Sequence, residues 1–148
     1  MNPQIFREYD IRGIVNRDLT PVVIEKIGKG FGTYIRRLNG KKVLIARDNR
    51  LSSPWIRDSL IKNICSTGID VLDLGMVPTP VFYFSLHHFH SDGGLMITGS
   101  HNPPEFNGLK VAQGQRTIYG KEIQAFRVLI EEDNFFTGEG KMEQKDIL

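Results

Sequence analysis

Ser100, His101, Asn102 and Lys110 are the residues of this 148-residue chain whose types and spacing best suit chemistry. The first three fall in Thr98-Gly99-Ser100-His101-Asn102-Pro103-Pro104, directly after the most apolar strand segment of the sequence, Gly94-Leu95-Met96-Ile97. In an open parallel sheet, ligands bind beyond the carboxyl ends of the strands. The composition fits a rigid reactive loop. Gly99 leaves room for backbone approach to an anion, Ser100 supplies a hydroxyl, and His101 and Asn102 supply side-chain donors. Two prolines reduce the freedom of the exit. Lys110 comes just past Asn107-Gly108, read as a turn, so a return strand could carry it back toward Ser100. By composition alone, a polar proline-rich loop without chemistry fits the same residues.

Other sites fail on spacing. A serine hydrolase elbow needs G-x-S-x-G, and here the flanking positions are Thr98 and Asn102. His101 is adjacent to Ser100 in sequence and poorly placed to act as its base. Gly28, Gly30 and Gly32 do not form a dinucleotide fingerprint, because they lie inside a helix pattern instead of after a strand. No Gly-Lys pair is followed by Ser or Thr, so there is no P-loop. His87, His88 and His90 have no Cys or carboxylate at ligand spacing and read as a helix end. Trp55 reads as a core or interface anchor.

The elements that must position the loop alternate between strand and helix. Asp10–Val15 reads as a short strand and turn. Thr20 caps a helix with Pro21 at its first position and Gly40 at its end; its apolar positions include Ile24, Ile27, Phe31 and Ile35. Its internal glycines suggest close approach to the sheet. Lys42–Ala46 is a buried strand, and Ser53-Pro54 caps a second helix with Ile56, Leu60, Ile61 and Ile64 inward and Gly68 after it. Asp70–Leu74 is a third strand, and Thr79-Pro80 starts a helix to about His88. Gly94–Thr98 is a fourth strand, Leu109–Val111 a short one after Asn107-Gly108, and Tyr119 to about Ile130 a last helix. The order predicts an α/β fold, a three-layer α/β/α sandwich on a mainly parallel, mixed sheet. The Asn-Gly signal allows the Leu109 strand to run antiparallel at an edge. Residues 1–133 form the domain, and 134–148 read as a polar surface tail or linker.

The wording of the Ser100 loop carries a resemblance. Thr98-Gly99-Ser100-His101-Asn102-Pro103-Pro104-Glu105-Phe106-Asn107-Gly108-Leu109-Lys110 resembles the phosphoserine loop of the α-D-phosphohexomutases. Phe6-Arg7-Glu8-Tyr9-Asp10-Ile11-Arg12-Gly13 looks like that family's N-terminal signature. Ala46-Arg47-Asp48-Asn49-Arg50-Leu51-Ser52 and Gly75-Met76-Val77-Pro78-Thr79-Pro80 fit it in the same order. The likeness covers essentially the whole chain. It is strongest to the bacterial phosphomannomutase/phosphoglucomutase branch, through Thr98-Gly99 and Val77-Pro78-Thr79-Pro80-Val81.

The resemblance implies that Ser100 is phosphorylated at rest, gives its phosphoryl group to a hexose phosphate, and takes the other group back from the reoriented 1,6-bisphosphate. The net reaction interconverts hexose 1-phosphate and hexose 6-phosphate of mannose or glucose. Such transfer depends on positioning and charge neutralisation. The resemblance implies Mg²⁺ held partly by the Ser100 phosphoryl oxygen, and glucose 1,6-bisphosphate as phosphorylating activator. Lys110 matches a lysine near the transferred group, a candidate general acid/base or phosphate clamp. Tyr9 and Arg12 match substrate-proximal positions, where a guanidinium fork suits a phosphate or sugar hydroxyl. Asn102 and Lys110 are likewise read as substrate-binding, and His101 and Asn102 as holding the loop. Arg12 could instead pair with Asp10 or Asp48, Tyr9 could be core, and Lys110 could be solvated. Asp48 and Arg50 read as loop support.

The family's Asp-Gly-Asp-x-Asp metal run is absent here. The expectation is therefore a first domain alone, partnered by downstream domains of its own chain and inactive by itself. Alternatives are a phosphoglucosamine mutase domain or a non-catalytic scaffold of the same fold. A net charge of +2 is too balanced for a dedicated nucleic-acid binder. Arg36, Arg37, Lys41 and Lys42 read as a helix C-terminus offsetting its dipole. The single cysteine, Cys65, excludes an internal disulfide and reads as a small buried hydrophobe. Arg7 and Glu8 break any signal peptide, and no apolar run approaches the ~18 residues of a membrane span, so a cytoplasmic setting is expected.

Overall fold

The computed structural model describes residues 1–146. Among these residues, four α-helices and seven strands follow a short 3-10 turn (Pro3–Ile5) as β1 (Ile11–Ile14), α1 (Pro21–Arg37), β2 (Lys42–Arg47), α2 (Ser53–Cys65), β3 (Asp70–Met76), α3 (Thr79–His88), β4 (Gly93–Ile97), β5 (Phe106–Gln113), β6 (Arg116–Thr117), α4 (Lys121–Glu132) and β7 (Met142–Gln144). The strands form one sheet in the order β1-β5-β4-β2-β3-β7, with β6 beside β5. Strands β4, β2, β3 and β7 pair in parallel, and β5 is antiparallel to both its main neighbours, β4 and β1.

Two apolar clusters make the layers. One packs α1, α2 and α4 on one face through Ile24, Phe31, Leu60, Ile64, Phe126 and Ile130. The other places Phe82 and Leu86 of α3 on Leu44, Ala46, Leu72 and Met96 of the opposite face. This is the expected α/β/α sandwich. Alternation along each strand decides which residues meet which layer: Leu109 and Val111 enter the three-helix layer, whereas Ala112 faces α3.

The local starts and stops obey capping chemistry, with two changes. Thr20 caps α1 by accepting from the Val23 amide at 3.3 Å, with Pro21 at the first helical position. Ser53 does not cap α2; it is the first helical residue, and its hydroxyl goes to Asp48 instead. The α1 glycines serve helix packing, not approach to the sheet. A Cβ at Gly28, Gly30 or Gly32 would meet Asn63 of α2, Ile130 of α4 or Thr67, respectively.

Asn107-Gly108 is not a turn. Both residues lie inside β5, opposite Gly13 and Arg12 of β1. The strand is antiparallel as anticipated but internal, and β1 and β7 are the two ends of the sheet. The actual hairpin is the next one, β5 to β6 around Gly114, whose φ is 64°. The polar stretch after Asp133 is mostly exposed, yet Met142–Gln144 adds strand β7 beside β3. Arg36 holds it there: its guanidinium donates to the carbonyls of Thr67 and Thr137 and lies 4.5 Å over the Phe136 ring. That is more than the dipole role read for this basic cluster.

Cys65 and Trp55 are half-buried against the larger core, and burial pushes the Cys65 thiol above its ordinary range. No helix among the described residues is long and apolar enough to cross a membrane.

Candidate active site

The loop between β4 and β5 is closed at its neck, where the Thr98 amide donates to the Gly108 carbonyl at 2.9 Å. The end of β1 supports it from the side, since the Val15 amide donates to Glu105. The loop stands at the carboxyl ends of the parallel strands β2 and β4, where the sequence reading places a ligand. It borders an open cleft of about 650 Å³ lined by Asp48, Arg50, Leu51, Thr98, Ser100 and Asn102, among others.

Arg50 holds the loop from inside. Its Nη1 donates to the carbonyls of Pro103 (2.7 Å) and Phe106 (2.9 Å). Its Nη2 donates to those of Asn102 (2.7 Å) and Ser100 (3.3 Å). One planar fork thus binds four carbonyls that would otherwise point in different directions, which a lysine point charge does not do. Asp48 secures Arg50 in turn: Oδ1 accepts from the Arg50 amide, and Oδ2 lies 3.4 Å from the Arg50 Nε. The same Oδ2 accepts the Gly99 amide at 3.0 Å. The reading of Asp48 and Arg50 as loop support therefore matches the geometry. The space reserved by Gly99 differs from expectation: a Cβ there would collide with the Arg50 guanidinium, so the glycine admits a cation of the protein itself.

Ser100 sits at the tip in the left-handed region, φ 53°, an uncommon conformation for a side-chain-bearing residue. Its amide donates to Thr98 Oγ1 at 2.9 Å and its carbonyl takes the Arg50 bond. Its residue surface is exposed, and its Oγ makes no hydrogen bond among the described residues. The backbone is fixed while the hydroxyl is left for something external.

The other expected residues divide. Asn102 holds the loop, as expected, through Nδ2 to the Gly99 carbonyl at 2.8 Å. Its Oδ1 accepts from Arg12 Nη1 at 3.4 Å. Arg12 also pairs with Asp10 at 3.2 Å, and its Nε is buried with no partner, so the structural ion pair and the approach to the loop coexist. Lys110 lies opposite Met96 in β5, half-buried, on the sheet face it shares with Ala112, and has no ion pair among the described residues. Gly108 is directly opposite Arg12, which makes Arg12 and Lys110 diagonal same-face neighbours, a spacing of ~7–8 Å between backbones that two long side chains can bridge.

Tyr9 is not core. It is 66% exposed and stacks on Tyr119, ring centroids 6.4 Å apart. His101 is exposed and makes no bond to the loop, so the holding role assigned to it belongs to Arg50. His87 contacts Gln115, and no group of three or more His, Cys, Asp or Glu among the described residues could hold a metal ion.

Three supporting residues escaped the sequence reading. Thr98 had a usable signal, the Thr-x-Ser spacing of a side-chain-to-backbone turn. Ser53 and Asn107 had none, because their roles depend on strand and helix ends meeting in space. Asn107 is fully buried, donating to Ser52 Oγ (2.8 Å) and Ser53 Oγ (3.0 Å) while accepting the Gly108 amide.

Comparison with known proteins decides the family. The family model described as phosphoglucomutase/phosphomannomutase, alpha/beta/alpha domain I, matches residues 3–134. The chain belongs to this family. A phosphomannomutase/phosphoglucomutase of Pseudomonas aeruginosa is 42% identical over 144 residues, 97% of this chain and 31% of the relative. A phosphoglucomutase/phosphomannomutase of Thermococcus kodakarensis is 37% identical over 156 residues, covering 98% of this chain and 33% of the relative. A probable phosphoglucosamine mutase of Thermococcus gammatolerans is 40% identical over 126 residues, covering 84% of this chain and 27% of the relative. Among solved structures, a phosphoglucomutase/phosphomannomutase family protein of Burkholderia thailandensis superposes with a TM-score of 0.93 at 39% identity, covering 99% of this chain and 34% of that one. This phosphoglucomutase/phosphomannomutase-family chain thus spans about a third of the length of the relatives it matches.

Proposed function

We propose that this chain carries the phosphoryl-accepting serine of a phosphohexomutase acting on mannose and glucose phosphates. The observation that carries the reading is Ser100 itself: a left-handed, exposed residue whose amide and carbonyl are both bound while its hydroxyl has no hydrogen bond among the described residues. A merely structural or scaffold role would not call for a fixed, strained backbone that presents an unused hydroxyl.

In this reading, resting Ser100 bears a phosphoryl group. The bond from phosphorus to Ser100 Oγ breaks as a bond forms to the free sugar hydroxyl of hexose 1-phosphate, whose proton leaves to a base. The bisphosphate reorients. Ser100 Oγ then loses its proton as it forms a bond to the phosphorus on O1, the P–O1 bond breaks, and O1 takes a proton from the acid, leaving hexose 6-phosphate. Lys110, with no ion pair among the described residues, is the candidate acid/base or phosphate clamp, and Arg12 and the loop's own Asn102, bonded to each other, are the candidate substrate contacts. Tyr9 offers an exposed ring to substrate. Among the described residues no group of three or more His, Cys, Asp or Glu could hold Mg²⁺, and no step here is assigned to the ion; a phosphoryl oxygen on Ser100 would be a ligand for it.

The test is a chimera in which this chain replaces the matching segment of the P. aeruginosa relative. It is expected to interconvert the 1- and 6-phosphates of mannose and glucose, and its Ser100→Ala form is not. A single phosphoryl adduct on Ser100 after exposure to glucose 1,6-bisphosphate, read by intact mass, is the companion result. A folded chimera without activity, or an Ala form as active as its parent, overturns the reading. The likeness to a probable phosphoglucosamine mutase supports a second substrate, tested by offering glucosamine phosphates to a chimera built on that relative.

A further inference from the structure

We propose that Asn107 is a positioning residue for the Ser100 nucleophile, acting through Ser53 and Asp48. The inference rests on the reading of Ser100 just given and names a residue that touches neither Ser100 nor its loop tip.

The path is a directed run of hydrogen bonds. Asn107 Nδ2 donates to Ser53 Oγ at 3.0 Å, and Ser53 Oγ donates to Asp48 Oδ1 at 2.6 Å. Asp48 Oδ2 then accepts the Gly99 amide at 3.0 Å, one peptide before Ser100. A serine hydroxyl has one proton. Because Ser53 gives that proton to the carboxylate, it can only accept from Asn107, so the direction of the whole run is fixed. Its last two bonds end on a charge and are the strong ones. Asn107 is fully buried, and every polar atom of its side chain is used: the amide on Ser52 and Ser53, the oxygen on the Gly108 amide.

What this run sets is the start of the Ser100 conformation. The Gly99 amide is held by Asp48 and the Ser100 amide by Thr98, so each of the two successive peptides leading into Ser100 has a fixed donor. Without Asn107, Ser53 loses the partner that keeps its hydroxyl aimed at Asp48, and the carboxylate loses one of its orienting bonds. The strand adds a second consequence. Asn107 faces the three-helix layer, and Lys110, three residues on, faces the other side. One strand therefore sets both the nucleophile loop and the lysine.

The test uses ¹⁵N-labelled chain and amide hydrogen exchange read by NMR. Asn107→Ala and Ser53→Ala are each expected to speed exchange of the Gly99 amide at least tenfold while Leu95 in β4 changes less than threefold. The double variant should add little to either single one, because both cut the same run. Asn63→Ala is the control, a buried asparagine bonded within α2 to Ser59. In the chimera, Asn107→Ala should lower kcat at least tenfold with KM within twofold. Ser53→Ala carries both measurements should Asn107→Ala not fold. A Gly99 amide unmoved by the variants, or moved equally by Asn63→Ala, overturns the path. An unmoved kcat overturns the positioning role. Exchange needs no phosphate, so a failed path is distinguishable from a failed reading of Ser100, which the Ser100→Ala chimera tests alone.

Discussion

The guanidinium of Arg50 occupies the space that a side chain at Gly99 would need. The two residues are 49 positions apart, yet a side chain at Gly99 requires the Arg50 guanidinium to move. A partly buried cation surrounded by loop carbonyls substitutes for the hydrogen bonds that an isolated loop would make to water.

Gly99→Ala is the direct probe of that fit. The added methyl must displace the fork, and overpacking of this kind costs about 1–3 kcal/mol. Urea denaturation should register the loss, and the Ser100 adduct from glucose 1,6-bisphosphate should form at least tenfold more slowly.

Arg50→Lys keeps the charge and removes the planar fork. Hydrogen bonds to charged groups contribute roughly 1.5–3 kcal/mol each, and a lysine cannot reach all four carbonyls. The expected result is faster amide exchange across residues 99–106 and a stability loss on the order of 2 kcal/mol. Unchanged exchange in the loop would remove Arg50 as its anchor.

Ser100→Gly separates backbone from hydroxyl. Relief of a left-handed residue gains about 1 kcal/mol, and the added freedom of glycine in the unfolded chain costs about as much. Stability should therefore stay within about 1 kcal/mol of the parent while phosphoryl uptake is lost. A large stability change would place the Ser100 side chain in a structural role.

Acid stability tests a second carboxylate beside β1. The Ile14 amide, first, and the Arg17 guanidinium hold Asp18 below the usual carboxylate range. A carboxyl whose folded pKa is lowered contributes stability that is complete above its unfolded value and lost as pH falls through the folded one. The urea midpoint should therefore decline as pH falls below the ordinary Asp value of about 4, and Asp18→Asn should flatten that part of the curve.

Much of this was legible in the sequence. Periodicity and punctuation gave the alternating elements: Thr20-Pro21 opened α1, Thr79-Pro80 opened α3, and the apolar run at Leu44-Ile45 was a buried strand. The loop and its support by Asp48 and Arg50 were visible from residue order. The errors share a cause. Asn107-Gly108 has the composition of a hairpin turn, but pairing with β1 on one side and the burial of Asn107 against Ser52 and Ser53 outweighed local preference. Gly99 was read as room for an anion because its neighbour in space, Arg50, lies far off in sequence. The support role that the resemblance implies for His101 has no place in the structure, because the loop carbonyls already have a donor in Arg50. Strand β7 is hidden in a polar stretch because its three exposed residues pair through their backbone with β3 and show no apolar pattern of their own.

The arrangement bears on transplantation. Residues 98–108 close on themselves through Thr98 and Gly108, so the segment looks like a module that could be moved to another scaffold. Its shape, however, is stored elsewhere. The four carbonyls of the segment are read by Arg50, and the amide of Gly99 by Asp48. A graft of 98–108 alone would carry the serine but leave behind the template that shapes it; the smallest portable unit is the two segments 48–53 and 98–108 together.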